Sequence, residues 1–277
     1  MDTQGWRYYN HAMVPNGRPD EEPDLTPIKN GDIWKNVRGG GGTPLLARWT
    51  SDWDCAHETD WWYCIKDTPL DISSLKAKRR YEINKGNKNF WVKKIEPADF
   101  AEELYSVQVD AFSAYPEKYR PKVDHDSFVK SVKSWKAIIY GSFYRENDEL
   151  AGYALLNEKS RWIEFSVLKT KPQYEKYAVN AALVNKIISD YNMSLANGTI
   201  ICDGARSINH ETHFQDYLEK YFDFRKAYCK LHIEYNPKIK WSIPLLYSMR
   251  KMLLKFDGIG FVHQINAVLK MEEIVRS

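Results

Sequence analysis

One stretch constrains the fold more than any other: SVLKTKPQYEKYAVNAALVNKII, residues 166–188. Its apolar start reads as the end of a strand, Pro172 stops that strand, and a long helix follows. Ala181, Val184, Ile188 and Tyr191 fall on one face of that helix. A strand running into a helix in this way has the shape of a phosphate cradle. The first N–H groups of the helix lack partners within it, and the helix dipole adds positive potential there. Such cradles usually carry glycines, whereas here the corresponding residues are Lys176, Ala178 and Asn180.

The surrounding pattern is regular from Phe90 onward. FWVKKIE reads as a strand, and Pro97 opens a helix with Phe100, Leu104, Val107 and Ala111 on one face. A second helix from about Asp124 carries Phe128, Val132 and Trp135. Three strands follow, KAIIYGSFYRE, ELAGYALLNE and RWIEFSVLKT, and the Asn147-Asp148 turn suits antiparallel pairing of the first two. After the long helix, GTIICDGA is a short apolar strand of the buried kind. THFQDYLEKYF is a helix with Phe214, Leu218 and Tyr221 inward, and FRKAYCKLHIEYN alternates as a half-buried strand.

Four segments result. Residues 1–30 carry Pro15, Pro19, Pro23 and Pro27 and read as an extended arm. Residues 31–89 form a partial, aromatic-rich lobe with the flexible connector RGGGG, two short strands and one basic helix. That helix, DISSLKAKRRYEINKG, is expected to be capped by Asp71 and to end at Gly86. The run from Lys76 to Lys94 holds eight Lys and Arg against one Glu, which suits either a solvated face or a groove for an anion. Residues 90–237 are the main domain. Residues 238–277 are a helical extension, whose Leu246, Met249, Leu253 and Phe256 share a face beside Arg250, Lys251 and Lys255. This face either packs on the domain or lies on a membrane surface through 244–256.

Composition excludes several classes. A net charge of +3 is too small to argue for nucleic acid by itself, and no run approaches the ~18 apolar residues that span a bilayer. The start, MDTQGWRYYN, lacks a signal pattern, and the four cysteines show no metal-type spacing. A reduced, cytoplasmic protein is expected. His210 and His213 in NHETHF do not make a zinc motif, Cys55, His57 and Cys64 lack an evident fourth ligand, and no metal site is expected.

The element order from Phe90 to Pro237 resembles the GNAT superfamily of CoA-dependent N-acyltransferases. RRYEINKG followed by NFWVKKI is similar to the Fem-type branch of bacterial peptidoglycan bridge aminoacyltransferases. The resemblance implies an α/β (α+β) fold: a mixed, mostly antiparallel twisted sheet flanked by helices, here with a small N-terminal lobe and a helical tail. PQYEKYAVNAAL lines up with the superfamily's donor signature at Pro172 and Tyr174. Glu175 stands at the usual arginine, and Lys176, Ala178 and Asn180 replace glycines. The implied co-substrate is acetyl-CoA or another acyl-CoA, held by Val167, Leu168, Tyr174, Lys176, Ala178, Val179, Asn180 and Asn209.

Acyl transfer to an amine needs a base and an acid for the leaving thiolate. In RWIEFSV, Ile163, Phe165 and Val167 are expected on one strand face, and Trp162, Glu164 and Ser166 on the other. Burial of Glu164 among apolar neighbours would raise it toward a usable base. The resemblance puts Tyr217, in YLEKYF, at the acid's position, with Tyr221 where glycine is usual. Three functions stay open: transfer from acyl-CoA to an amine of a small molecule or surface-glycan precursor, Fem-like transfer from aminoacyl-tRNA, and a non-catalytic binding module. The sequence leaves the acceptor, the acyl group and the oligomeric state open.

Overall fold

The computed structural model describes residues 5–35, 43–115, 117, 120–208 and 213–277. Its strands are β1 (Trp6–Tyr9), β2 (Ala12–Pro15), β3 (Leu46–Ser51), β4 (Trp61–Lys66), β5 (Phe90–Ile95), β6 (Ile138–Tyr144), β7 (Leu150–Lys159), β8 (Trp162–Thr170), β9 (Ile200–Ala205) and β10 (Arg225–Tyr235). Its helices are α1 (Thr26–Lys29), α2 (Ala77–Asn89), α3 (Ala101–Ser113), α4 (His125–Val132), α5 (Val179–Ala196), α6 (His213–Phe222), α7 (Pro237–Lys240), α8 (Ile243–Ser248), α9 (Arg250–Leu253) and α10 (Gly260–Arg276). Two compact units divide the chain. One holds Met1–Tyr63, Ala205–Thr212 and Lys226–Ser277, the other Cys64–Gly204 and His213–Arg225.

In the second unit the strand order is β9-β8-β7-β6-β5. β5, β6, β7 and β8 pair antiparallel in sequence, and β8 pairs parallel with β9. Asp148 turns the β6–β7 connection in the left-handed region, at φ 56°. Leu104 and Val107 of α3 and Val132 of α4 pack with Ile139 and Tyr153 in one cluster. Asp124 caps α4 by accepting from the Ser127 N–H.

The long helix α5 is buried well beyond the single stripe its spacing predicts, because α2 lies along it. The basic helix does not end at Gly86. It begins at Ala77, passes through Gly86 and stops at Asn89, while Asp71 caps a separate 3-10 turn, Ile72–Ser74. A β carbon on Gly86 would stand 2.6 Å from the Ala178 carbonyl oxygen and 2.8 Å from the Ala182 nitrogen. The glycine marks close approach of two helices rather than a helix end.

In the first unit the order is β1-β2-β3-β10. Residues expected as an extended arm instead pack. β1 and β2 form a hairpin turned by Asn10 and His11, both left-handed at φ 46° and 62°, as a two-residue hairpin loop requires. Trp6 and Met13 are buried with Ile33 and Ala47, and the Trp6 Nε1 donates to the Asp24 carbonyl at 3.0 Å. Burying an indole of this size outweighs the proline-rich composition. The RGGGG connector lies outside the described residues.

The stretch 243–256, expected as one apolar-faced helix, is broken into α8, α9 and a 3-10 turn, Leu254–Phe256. The break falls at Met249, whose ψ of 1° departs from helical geometry. α10 packs Met271 and Ile274 into a cluster with Leu46, Leu231 and Tyr235. Among the described residues no helix is long and apolar enough to cross a membrane, and no three His, Cys, Asp or Glu gather as metal ligands.

Candidate active site

The parallel pair β8–β9 is short. Trp162, Ile163 and Glu164 pair with Ile200, Ile201 and Cys202, and the pairing ends there although both strands continue. Beyond Glu164 the edge of β8 turned toward β9 has no strand partner among the described residues, so its main-chain groups are able to bond an extended ligand. Val167 and Leu168 lie on that edge, half-buried.

On its other edge β8 carries a bulge. Leu155 pairs with Val167 and Leu156 with Phe165, leaving Ser166 as the extra residue. Its hydroxyl accepts from Asn157 Nδ2 at 2.8 Å. The bulge overturns the regular alternation expected for this strand. Phe165 and Val167 now oppose consecutive residues of β7 and face opposite sides. Phe165 meets Phe214 of α6 with centroids 6.0 Å apart, whereas Val167 packs with the α3–α4 cluster.

After Thr170 a 3-10 turn, Pro172–Tyr177, leads to Ala178 at φ 66° and ψ 42°. Left-handed backbone costs a non-glycine residue roughly 1–2 kcal/mol. Ala178 therefore keeps the shape a glycine would supply at some cost in strain. Its neighbours hold it there. Lys171 donates to Glu149 Oε1 at 2.8 Å and Ser106 Oγ at 3.0 Å, and Tyr174, buried, donates to Glu149 Oε2 at 2.6 Å. Burial works to raise the Glu149 carboxyl, but the bonds from Lys171 and Tyr174 outweigh it and hold the group below its ordinary value.

The N–H groups of Val179, Asn180 and Ala181 find no acceptor among the described residues. The Asn180 side chain is tied to the end of β8, its Oδ1 accepting from Thr170 Oγ1 at 3.2 Å. Lys176 is exposed, its Nζ 4.9 Å from the Tyr177 ring centroid, and Glu175 is exposed beside it. The main chain here suits a phosphate and Lys176 adds to it, while Glu175 opposes it.

Three groups on β8, β9 and α6 have chemistry of their own. Glu164, on the last paired rung, is half-buried rather than enclosed and has no hydrogen-bond partner among the described residues. Tyr217 has a hydroxyl shut off from solvent and without a partner among the described residues. Burial, then Glu82 and Tyr221, push its pKa up, so it stays protonated as a donor lacking an acceptor. Its ring stacks on Phe214 at a centroid distance of 6.2 Å and lies tilted against Tyr221 at 4.9 Å. The buried residues of α6 are Gln215, Leu218 and Phe222, so Phe214 and Tyr221 flank its inner face rather than form it.

The third group is Asp203, which the sequence reading passed over. It stands one rung beyond the last β8–β9 pair, where burial pushes its carboxyl from 3.8 up to about 7 against a hydrogen bond from Gln215. Its signal in the sequence was an acid before a glycine in an otherwise apolar strand, IICDGA. Asn209 and His210 lie outside the described residues.

No protein-family model matches the chain, and no curated protein matches it. Two solved structures resemble nearly all of it. L-PGS from Bacillus licheniformis is 13% identical with a TM-score of 0.52, over 90% of this chain and 84% of that one. The C-terminal DUF2156 domain of a protein described as a lysylphosphatidylglycerol synthetase, from Agrobacterium fabrum, is 10% identical with a TM-score of 0.53, over 88% and 84%. FemX, at 7% identity and a TM-score of 0.46, is too distant to carry weight. The likeness establishes the fold: mixed α/β of the GNAT-like kind, with a mostly antiparallel sheet flanked by helices.

Proposed function

We propose that this protein is a GNAT-like acyltransferase that moves an acyl group from acyl-CoA to an amine of a small molecule or surface-glycan precursor. The observation that supports this best is the parting of β8 and β9 after Glu164, with the bulge at Ser166 on the same strand. The phosphates would be held by the N–H groups of Val179, Asn180 and Ala181 with help from Lys176, and the pantetheine arm by the edge of β8 at Val167 and Leu168. The thioester supplies an electrophilic carbonyl.

Asp203 takes one proton from the attacking ammonium; Glu164, in register with Cys202, faces the other side of the sheet. The C–N bond forms and the C–S bond breaks. Tyr217 gives its proton to the departing sulfur and recovers one from the nitrogen, which leaves an amide, a free thiol and a protonated Asp203 that releases its proton to water. The test is thiol release from acetyl-CoA with a panel of amines. Release that needs an amine supports the reading, and none with any amine contradicts it.

A second reading, transfer from aminoacyl-tRNA, draws on a different observation. α2 lies against the amino end of α5, and Lys76 just before it and Lys78 and Lys88 on it are exposed. A cationic border of this kind suits a polyphosphate chain longer than that of CoA. Affinity for tRNA that falls steeply with salt would favour this reading, and a flat response would reject it.

A further inference from the structure

We propose that residues 238–261 seat this protein on the surface of an anionic lipid bilayer. Of the fourteen large apolar side chains exposed among the described residues, eight fall between 241 and 261. Trp241 is 76% exposed and Phe261 72%, and Leu245, Leu254, Phe256 and Ile259 are each more than half exposed. Concentration of this kind in one segment marks an interaction surface rather than scattered exposure.

The attachments of the segment go the other way, to α10. The Tyr247 ring lies under the guanidinium groups of Arg250 and Arg276, at 4.2 and 4.3 Å. Asn266 Nδ2 donates to the Leu253 carbonyl at 3.3 Å and to Asp257 Oδ1 at 2.7 Å, and Ile243 is buried. Anchored on that side, the segment leaves its large apolar side chains outward.

Charge identifies the occupant. Between 237 and 261 the sole acid is Asp257, and it is taken up by His263 and Asn266. Lys238, Lys251 and Lys255 are exposed and carry no ion pair among the described residues. Cations interleaved with Trp, Phe and Leu match an interface of anionic headgroups over acyl chains. A second copy of the chain would set the same lysines against one another. The segment is made of short pieces, so it lies on the bilayer rather than crossing it. The inference does not depend on the transfer chemistry.

The test is flotation of the full chain with vesicles of phosphatidylcholine alone or mixed with phosphatidylglycerol. The protein is expected to float with the mixed vesicles, weakly or not at all with phosphatidylcholine, and less as salt is raised. Trp241→Ser and Phe261→Ser should each weaken binding roughly tenfold or more, and Lys251→Gln and Lys255→Gln each by about fivefold. Both lysines are exposed and carry no ion pair among the described residues, so their replacement leaves folding intact. Failure to bind mixed vesicles overturns the proposal, as does binding that none of these variants weakens. A concentration-dependent dimer lost in Trp241→Ser, without vesicle binding, overturns it in favour of a self-interface.

Discussion

Gly86 of α2 and Ala178 at the head of α5 lie in contact, with room for no β carbon on Gly86: one built there would stand 2.6 Å from the Ala178 carbonyl oxygen. The pair inverts the usual placement of the two residue types. Glycine sits inside a helix, where it is disfavoured, and alanine sits at φ 66°, where glycine is favoured. Their contact fixes the end of α5 from which a phosphate would be bound.

Gly86→Ala separates the two roles a helical glycine can have. If helix propensity alone mattered, alanine would stabilise by about 1 kcal/mol. The contact reverses the sign, and a loss of roughly 2 kcal/mol is expected from overpacking against main chain that cannot yield. Chemical denaturation measures it.

Ala178→Gly should do the opposite of an ordinary alanine-to-glycine change in a helix. Relief of left-handed strain is expected to stabilise by up to about 1 kcal/mol, read as a higher denaturation midpoint at unchanged slope. A destabilised variant would mean that Ala178 is unstrained.

Under the proposed chemistry, Asp203 would couple turnover to pH. Its folded value of about 7 exceeds the ordinary 3.8, so the folded chain binds the extra proton between the two. That contribution to stability is complete below about 4 and lost as pH rises through about 7. The base must be ionised, so the rate should rise through the same range. Asp203→Asn is expected to flatten this part of the stability curve and to lower turnover on the order of a hundredfold.

Tyr217→Phe distinguishes a working phenol from a packing ring. Removing a buried hydroxyl that has no partner among the described residues should raise stability by about 1 kcal/mol. Turnover should nonetheless fall, on the order of a hundredfold, with the KM for the amine little changed. A variant that is more stable and equally active would leave Tyr217 a packing residue.

Much of the second unit was legible because its elements obey simple periods. The apolar runs of β6 and β7 around the Asn147-Asp148 turn, the spacing along α3 and the proline before α5 all have local causes. What was not legible depends on partners distant in sequence. The bulge at Ser166 has no glycine to announce it and exists only in register against Leu155 and Leu156. Gly86 reads as a helix stop until α5 lies beside it. Asp203 looks like an oddity of an apolar strand until β8 parts from β9 at its rung. The hairpin at Asn10 and His11 lacked the usual Asn-Gly, so proline composition dominated the reading of that segment.

The central claim is that the parted strands and the head of α5 form one donor site. Calorimetric titration with acetyl-CoA tests it most directly, using the intact chain and a Ser166→Pro variant, whose ring would crowd the bulge that shapes this edge. Saturable binding to the intact chain, lost or strongly weakened in the variant, is the expected result. No heat at millimolar acetyl-CoA, or binding unaffected by the proline, would contradict the account.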